Sequence, residues 1–288
     1  MESKQLKWGY LLVLSLIWGS SFILIKKGLI GLTALQVGSL RIVFAAFFLL
    51  LIGFKSLSRI PKNKWKFIAL TSIFGTFVPA FLFAIAETEL DSSVTAILNS
   101  LTPLNTLVLG AVFFGVQFQR RQMWGVLIGL CGSLLLVFNG AMNHPNQNYY
   151  YAILVIIAAI CYAINVNLIK RYLHDLSPLS ISTGNFLFLL FPSLVILFST
   201  GFADVIEAQQ AQESILFIMI LGVVGTGIAN ILFFKLIQIS SPVFATSVTY
   251  LIPVVAFFWG LLDSEMLTSV QFFGALIILV GVYLSAKK

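Results

Sequence analysis

The sequence predicts an all-α polytopic membrane protein: ten transmembrane helices arranged as two inverted five-helix repeats. Three observations carry this. The chain is 59% hydrophobic and 9% charged, with a mean hydropathy of +1.03, where soluble domains run near about 25% charged. Ten apolar runs of crossing length follow one another with short connectors between them. The two halves also repeat each other. Ser93-Val94-Thr95-Ala96 through Leu101-Thr102-Pro103 reads like Ala245-Thr246-Ser247 through Leu251-Ile252-Pro253, with Pro103 and Pro253 150 residues apart. Gly75-Thr76 returns at the same offset as Gly225-Thr226, Gly125 and Gly132 return 149 later as Gly274 and Gly281, and Leu24-Ile25-Lys26 returns 144 later as Leu168-Ile169-Lys170. The first repeat takes residues 1–139, a connector 140–149 and the second repeat 150–288. Five spans is an odd number, so the second copy crosses in the opposite sense.

The runs fall at 7–26, 35–54, 65–86, 92–114, 122–139, 150–170, 179–199, 214–236, 242–262 and 269–286. Backbone groups in lipid must pair within the protein, so runs this long are helices, and the ten-residue alternation of a barrel is absent. Span 1 is retained rather than cleaved: its apolar run is too long for a signal peptide, and Trp18-Gly19-Ser20-Ser21 offers no small-residue cleavage site. Span 2 has Arg41 set into its body. Span 3 opens on Trp65 and ends before Glu87 and Glu89, and span 4 holds Pro103. Span 5 opens near Trp124 and carries Gly125 and Gly129 at GxxxG spacing, with Gly274 and Gly281 marking span 10. These glycines imply close helix packing between the halves, or alternatively a homodimer face. Cys131 and Cys161 sit deep in spans 5 and 6 with no second ligand nearby, so no redox, metal or cofactor role is expected.

Lys and Arg placement sets the orientation. Lys4 and Lys7, the cluster Lys55 to Lys66, Arg120 and Arg121, Lys170 and Arg171, Lys235, Lys287 and Lys288 make 14 on one side, against Lys26 and Lys27 on the other. The positive-inside rule puts both termini in the cytoplasm. Eight acidic groups, Glu87, Glu89, Asp91, Asp204, Glu207, Glu213, Asp263 and Glu265, mirror this at the outer face. The net charge of +7 is thus a topology signal carried by short juxtamembrane clusters, not a surface for nucleic acid. Neither His144 nor His174 lies in a span core, and no HExxH, GxSxG or in-membrane Asp pair appears, which argues against an enzyme.

Pro103 and Pro253 stand at the centres of spans 4 and 9. A mid-helix proline cannot bond the carbonyl four residues back, so the carbonyls of Asn99 and Thr249 are released near the midplane. Either they line a wet cavity, where unpaired backbone is tolerated, or nearby hydroxyls satisfy them at plain kinks. Thr95, Asn99, Thr102 and Thr106 share one face of span 4, as a cavity wall or as interhelical glue. Trp18 and Ser21 in span 1 correspond at offset 144 to Tyr162 and Asn165 in span 6, an aromatic beside a hydrogen-bonding group in both places. Asn165 is favoured over Asn167, since two positions apart cannot face one cavity. Asn230 and Tyr250 complete the midplane set. Arg41 binds an anionic substrate group or pairs with Glu87 or Glu89.

Trp18-Gly19-Ser20-Ser21-Phe22, Leu40-Arg41, the two Leu-x-Pro segments and the Gly-rich fifth and tenth spans together resemble the drug/metabolite transporter superfamily, and within it the ten-helix EamA-type branch. The resemblance covers nearly the whole chain. It implies export of small metabolites or amino acids by alternating access, around a cavity lined mainly by spans 1, 3, 4, 6, 8 and 9, in a bacterial inner membrane. Inverted repeats build two access states around one site in many such proteins. Members of the branch carry a Gly-Glu pair before the last helix of each half. Here the second half keeps Glu265, but the first has Gly115-Val116. The rival reading, a non-transporting receptor or assembly scaffold, calls for an extramembrane module that the short connectors leave no room for. All ten Asp and Glu lie at span ends or in connectors, so movement down the substrate gradient is expected; any proton coupling falls to Glu87 and Glu89.

Overall fold

A computed structural model describes residues 2–90, 92–141, 148–262 and 269–286. Most of the 140–149 connector with His144, as well as Asp91, Asp263, Glu265, Lys287 and Lys288, lie outside the described residues. Every regular element among the described residues is helical. In chain order the α-helices are α1 (Glu2–Gly19), α2 (Ser21–Gly28), α3 (Ala34–Gly53), α4 (Trp65–Ser72), α5 (Val78–Ala86), α6 (Ser92–Asn99), α7 (Thr102–Phe114), α8 (Arg120–Ala141), α9 (Ala152–Tyr172), α10 (Pro178–Ser199), α11 (Phe202–Val205), α12 (Gln209–Ile220), α13 (Ala229–Ile239), α14 (Pro242–Thr246), α15 (Val248–Leu262) and α16 (Ser269–Ala286). Six continuous apolar helical runs among them are long enough to cross a membrane: Gln5–Gly28, Ala34–Arg59, Lys62–Ala86, Ala152–Tyr172, Pro178–Ser199 and Gln209–Ile239. Thr102–Phe114 and Pro242–Val255 are shorter apolar helices.

Helix starts follow local chemistry. Thr33 caps α3 through a reciprocal box with Gln36. Ser177 and Ser241 cap α10 and α14, each followed by a proline whose missing N–H costs nothing in a first turn. Large side chains such as Leu51, Phe113 and Phe191 point away from the protein and are mostly exposed, as a lipid-facing surface requires.

Two features depart from the continuous spans read in the sequence. The predicted fourth span breaks at Ser100–Leu101, and the ninth at Ser247. Pro103 is therefore not a mid-helix kink; it stands in the first turn of α7, where a new helix begins. Pro253 does lie inside a helix, α15. The third and eighth runs contain π-helical turns, Ile73–Phe77 between α4 and α5 and Leu221–Ile228 between α12 and α13. Such turns leave backbone groups out of the regular ladder and recur at functional sites.

The buried core is uneven along the bundle. Leu14, Ile68, Ile169, Leu173, Ile237 and Phe244 belong to one cluster that closes the end carrying the start of α1 and α4 and the ends of α9 and α13. Toward the opposite end the packing divides. One cluster holds Phe22, Phe83, Val155 and Ile252, and another holds Ile25, Leu40, Ile218 and Leu221. At the closed end, polar ties bind different helices. Lys170 Nζ donates to the carbonyls of Ile237, Gln238 and Ser240 at 3.0, 3.3 and 2.7 Å, a cation on the C-terminal carbonyls of α13. Lys64 Nζ donates to Tyr172 O at 2.7 Å and to Asp175 Oδ1 at 2.9 Å, and that pairing lowers the Asp175 carboxyl below its ordinary range. Phe67 stacks on Tyr172 at 4.2 Å.

Helices α8 and α16 meet glycine to glycine. A Cβ on Gly281 would fall 2.6 Å from Gly129 Cα, and one on Gly132 2.9 Å from Gly274 O. The glycine faces read from spans 5 and 10 thus face each other within one chain. A homodimer built on those same glycines would have to displace this contact.

Candidate functional site

Between the two divided clusters lies a cavity of about 820 Å³, its mouth included. None of the residues lining it is exposed. It brings together eight of the nine substrate-contact residues expected from the sequence: Trp18 and Ser21 from the first run, Asn99 and Thr102 flanking the α6–α7 break, Tyr162 and Asn165 from α9, Asn230 from α13 and Thr249 from α15. Arg41 joins them. Tyr250 is the exception: it does not line the cavity as expected. Its ring packs against Gly129 and its hydroxyl donates to Val126 O at 2.9 Å, so it serves the α15–α8 contact rather than the cavity. Thr249 faces the cavity, and the adjacent position on a helix points elsewhere.

Both π turns reach the wall, and the sequence reading did not nominate them. The lining includes Gly75 and Thr76 from the first, and Gly225 and Thr226 from the second. Trp18 Nε1 donates to Gly225 O at 2.9 Å, and Arg41 Nε donates to Thr226 Oγ1 at 2.6 Å. The glycines allow a neighbouring helix to come close. A Cβ on Gly75 would fall 2.6 Å from Asn165 Cγ, and one on Gly225 would fall 3.0 Å from Ser21 Oγ. Gly75 and Gly225 are 150 apart, and Ser21 and Asn165 are 144 apart. The same contact is therefore made twice, once by each half. The repeated Gly-Thr pair was the signal available in the sequence.

The prolines do not line the cavity, and the carbonyls they were expected to release are taken up by hydroxyls. Asn99 O accepts from Thr102 Oγ1 at 2.7 Å, and Thr249 O accepts from Ser100 Oγ at 3.4 Å. The span-4 stripe is split by the same break: Asn99 and Thr102 reach the cavity, while Thr106 Oγ1 bonds back to Thr102 O. Asn167 is used structurally, donating to Thr106 O and Ala163 O. These placements separate the two prolines. Pro103→Ala only adds an N–H in a helix's first turn, and transport is expected to stay within about twofold. Pro253→Ala restores a donor to Thr249 O, displaces Ser100 and loosens the tie between α15 and the break at 100–101. A several-fold loss of transport, about threefold or more, is expected with folding intact. Equal activity of both variants in reconstituted flux would contradict this.

Charge is sparse here. Among the lining residues Arg41 is the one ionised side chain. Glu87 is buried nearby at the end of the third run, accepts from Ser92 Oγ at 3.1 Å, and leaves Oε1 without a partner. Burial pushes its carboxyl well above the usual carboxylate range, with the Ser92 hydrogen bond opposing. Glu89 is exposed. Arg41 makes no ion pair with either, so that expected pairing is not formed.

Comparison with known proteins now adds to this geometry. The profile of the EamA-like transporter family matches residues 7–138 and again residues 150–287. A protein of Escherichia coli K12 named "Probable amino-acid metabolite efflux pump" is 27% identical over 281 residues, covering 95% of this chain and 92% of the pump. An "Uncharacterized transporter" of Archaeoglobus fulgidus is 25% identical over 294 residues, covering 98% and 99%. A solved crystal structure superposes with a TM-score of 0.74 over 98% of this chain and 96% of its own, at 14% identity, which speaks to the fold alone. The chain belongs to the EamA-like transporter family and is an integral membrane transporter.

Proposed function

We propose that this chain exports small metabolites, amino acids among them, across the inner membrane by alternating access. The units would be two inverted five-helix repeats, residues 1–139 and 150–288, that together make ten spans with both termini cytoplasmic. The observation that carries the proposal is the cavity walled by a π turn from each half, with Gly75 against Asn165 and Gly225 against Ser21. Contacts made in duplicate around one central site are what inverted repeats produce. The separate family match to each half supports this, as does the name of the E. coli relative, an amino-acid metabolite efflux pump. On the expected topology, the end closed by the Leu14–Ile169–Phe244 cluster is cytoplasmic, so this conformation corresponds to an outward-facing state.

Cells expressing the protein and fed dipeptides provide the direct test. Efflux of at least one released amino acid should rise with expression. A receptor or scaffold would leave every efflux rate unchanged.

Among the described residues no carboxylate lines the cavity, and proton relays in transporters are built from such groups. Reconstituted protein is therefore expected to catalyse counterflow without a pH gradient, and an imposed gradient should not drive accumulation. Proton-driven uphill accumulation by the wild type would contradict this, and its persistence in a Glu87→Gln/Glu89→Gln variant would place the coupling group elsewhere.

A further inference from the structure

We infer that Arg41 is the anchor for a carboxylate carried by the substrate, so that the cavity selects small monocarboxylates with an apolar body. This rests on the transport reading above and makes its substrate class specific. Four observations converge on it. Among the described residues Arg41 is the one ionised residue in the cavity wall, a single fixed positive charge. Its Nε donates to Thr226 Oγ1 at 2.6 Å, which fixes the plane of the guanidinium. Among the described residues the two Nη groups have no hydrogen-bond partner, and Arg41 makes no ion pair. Glu87, the carboxyl within Coulombic range, is held by Ser92 and lies outside the lining.

A guanidinium in the cavity wall whose Nη edge has no protein partner among the described residues offers an electrostatic seat for an anion. The unoccupied edge is a planar fork that matches a carboxylate bidentately. One cation calls for one anionic group. The rest of the wall suits an uncharged body: Trp18 packs edge-on against Phe233 at 5.0 Å, and Phe83 stacks with Tyr162 at 5.9 Å.

The test uses the purified full-length protein in lipid nanodiscs and two matched pairs of probes: 3-phenylpropionate with its amide, and L-phenylalanine with L-phenylalaninamide. Binding is read by ligand-induced thermal stabilisation. The wild type should bind each acid about tenfold or more tighter than its amide, the discrimination expected when a built polar partner goes unmatched. Arg41→Gln should erase that preference while leaving amide binding within about twofold, and Arg41→Lys should keep part of it, since charge remains but the fork is lost. Thr226→Val keeps the charge and frees the fork, so acid binding should weaken about threefold or more with the amides unmoved. That variant serves if Arg41→Gln does not fold. Acids and amides bound alike by the wild type, no acid bound at all, or an acid preference surviving Arg41→Gln or unmoved by Thr226→Val would each overturn the assignment. Expression-dependent efflux that persists alongside such a result sinks the Arg41 assignment alone. Absence of any efflux beside a normal acid preference sinks the transport reading instead.

Discussion

Gly75→Ala is expected to lower transport about tenfold or more, whereas Gly9→Ala should change nothing measurable. At Gly9 a new methyl group meets no atom within 4 Å, but at Gly75 it meets the amide of Asn165, with Nδ2 at 2.6 Å and Oδ1 at 2.7 Å. Contacts that short cannot persist, so either the π turn or the amide must shift. Asn165 is buried and lines the cavity, so its displacement moves the wall itself. Misplacing a contacting group by about 1 Å is enough for losses of that order. Gly225→Ala should be milder, because its new methyl would meet the Ser21 hydroxyl and a leucine methyl at 3.0 Å, where a few tenths of an ångström of give suffice, against 2.6 Å at Gly75. Overpacking and loss of a ligand contact can be separated with the double variant Gly75→Ala/Asn165→Ala, which removes the atoms the methyl meets. Thermal stability should return in it while transport stays low. Transport restored to the wild-type rate would mean that Asn165 only packs and does not contact substrate.

How far the sequence foretold this arrangement depends on what kind of signal each feature leaves. A polar side chain in an apolar run must find a partner or a wet surface, which marked Asn230; the two prolines pointed to Asn99 and Thr249, and the offset of 144 paired Trp18 and Ser21 with Tyr162 and Asn165. The repeated Gly75-Thr76 and Gly225-Thr226 were legible as a sign of duplication but not as cavity wall. Other features leave no local trace. A proline reads the same at a kink as in the first turn of a new helix, and only the break at Ser100–Leu101 tells Pro103 apart from Pro253. The π turns differ from α-helix by one step of hydrogen bonding, which no periodicity in a uniformly apolar run registers. Tyr250 shows a further limit. Its place in the middle of a span fixed its depth, but its direction was set by the space above Gly129 and the carbonyl of Val126, both on another helix.

Gly281→Leu should abolish accumulation of folded protein, and Gly281→Ala should already impair it. A Cβ at Gly281 would stand 2.6 Å from Gly129 Cα and 2.7 Å from Gly125 O. These are backbone atoms of α8, so no rotamer change can make room; the two helices must separate. Apolar side chains gain nothing from leaving lipid for a protein interface, and helix association in a membrane depends on close packing, which small residues permit. Separation forfeits those dispersion contacts along the whole seam, including the one between Gly132 and Gly274. Overpacking of a tight core site typically costs about 1–3 kcal/mol, and the backbone-to-backbone contact puts this site at the upper end or beyond. Fluorescence-detected size exclusion of tagged protein, read beside Gly9→Ala as the unaffected control, measures the outcome. A monodisperse Gly281→Leu peak at wild-type yield would mean that α8 and α16 are not in contact in the folded protein. The glycine faces would then be free for the homodimer that the sequence also allowed.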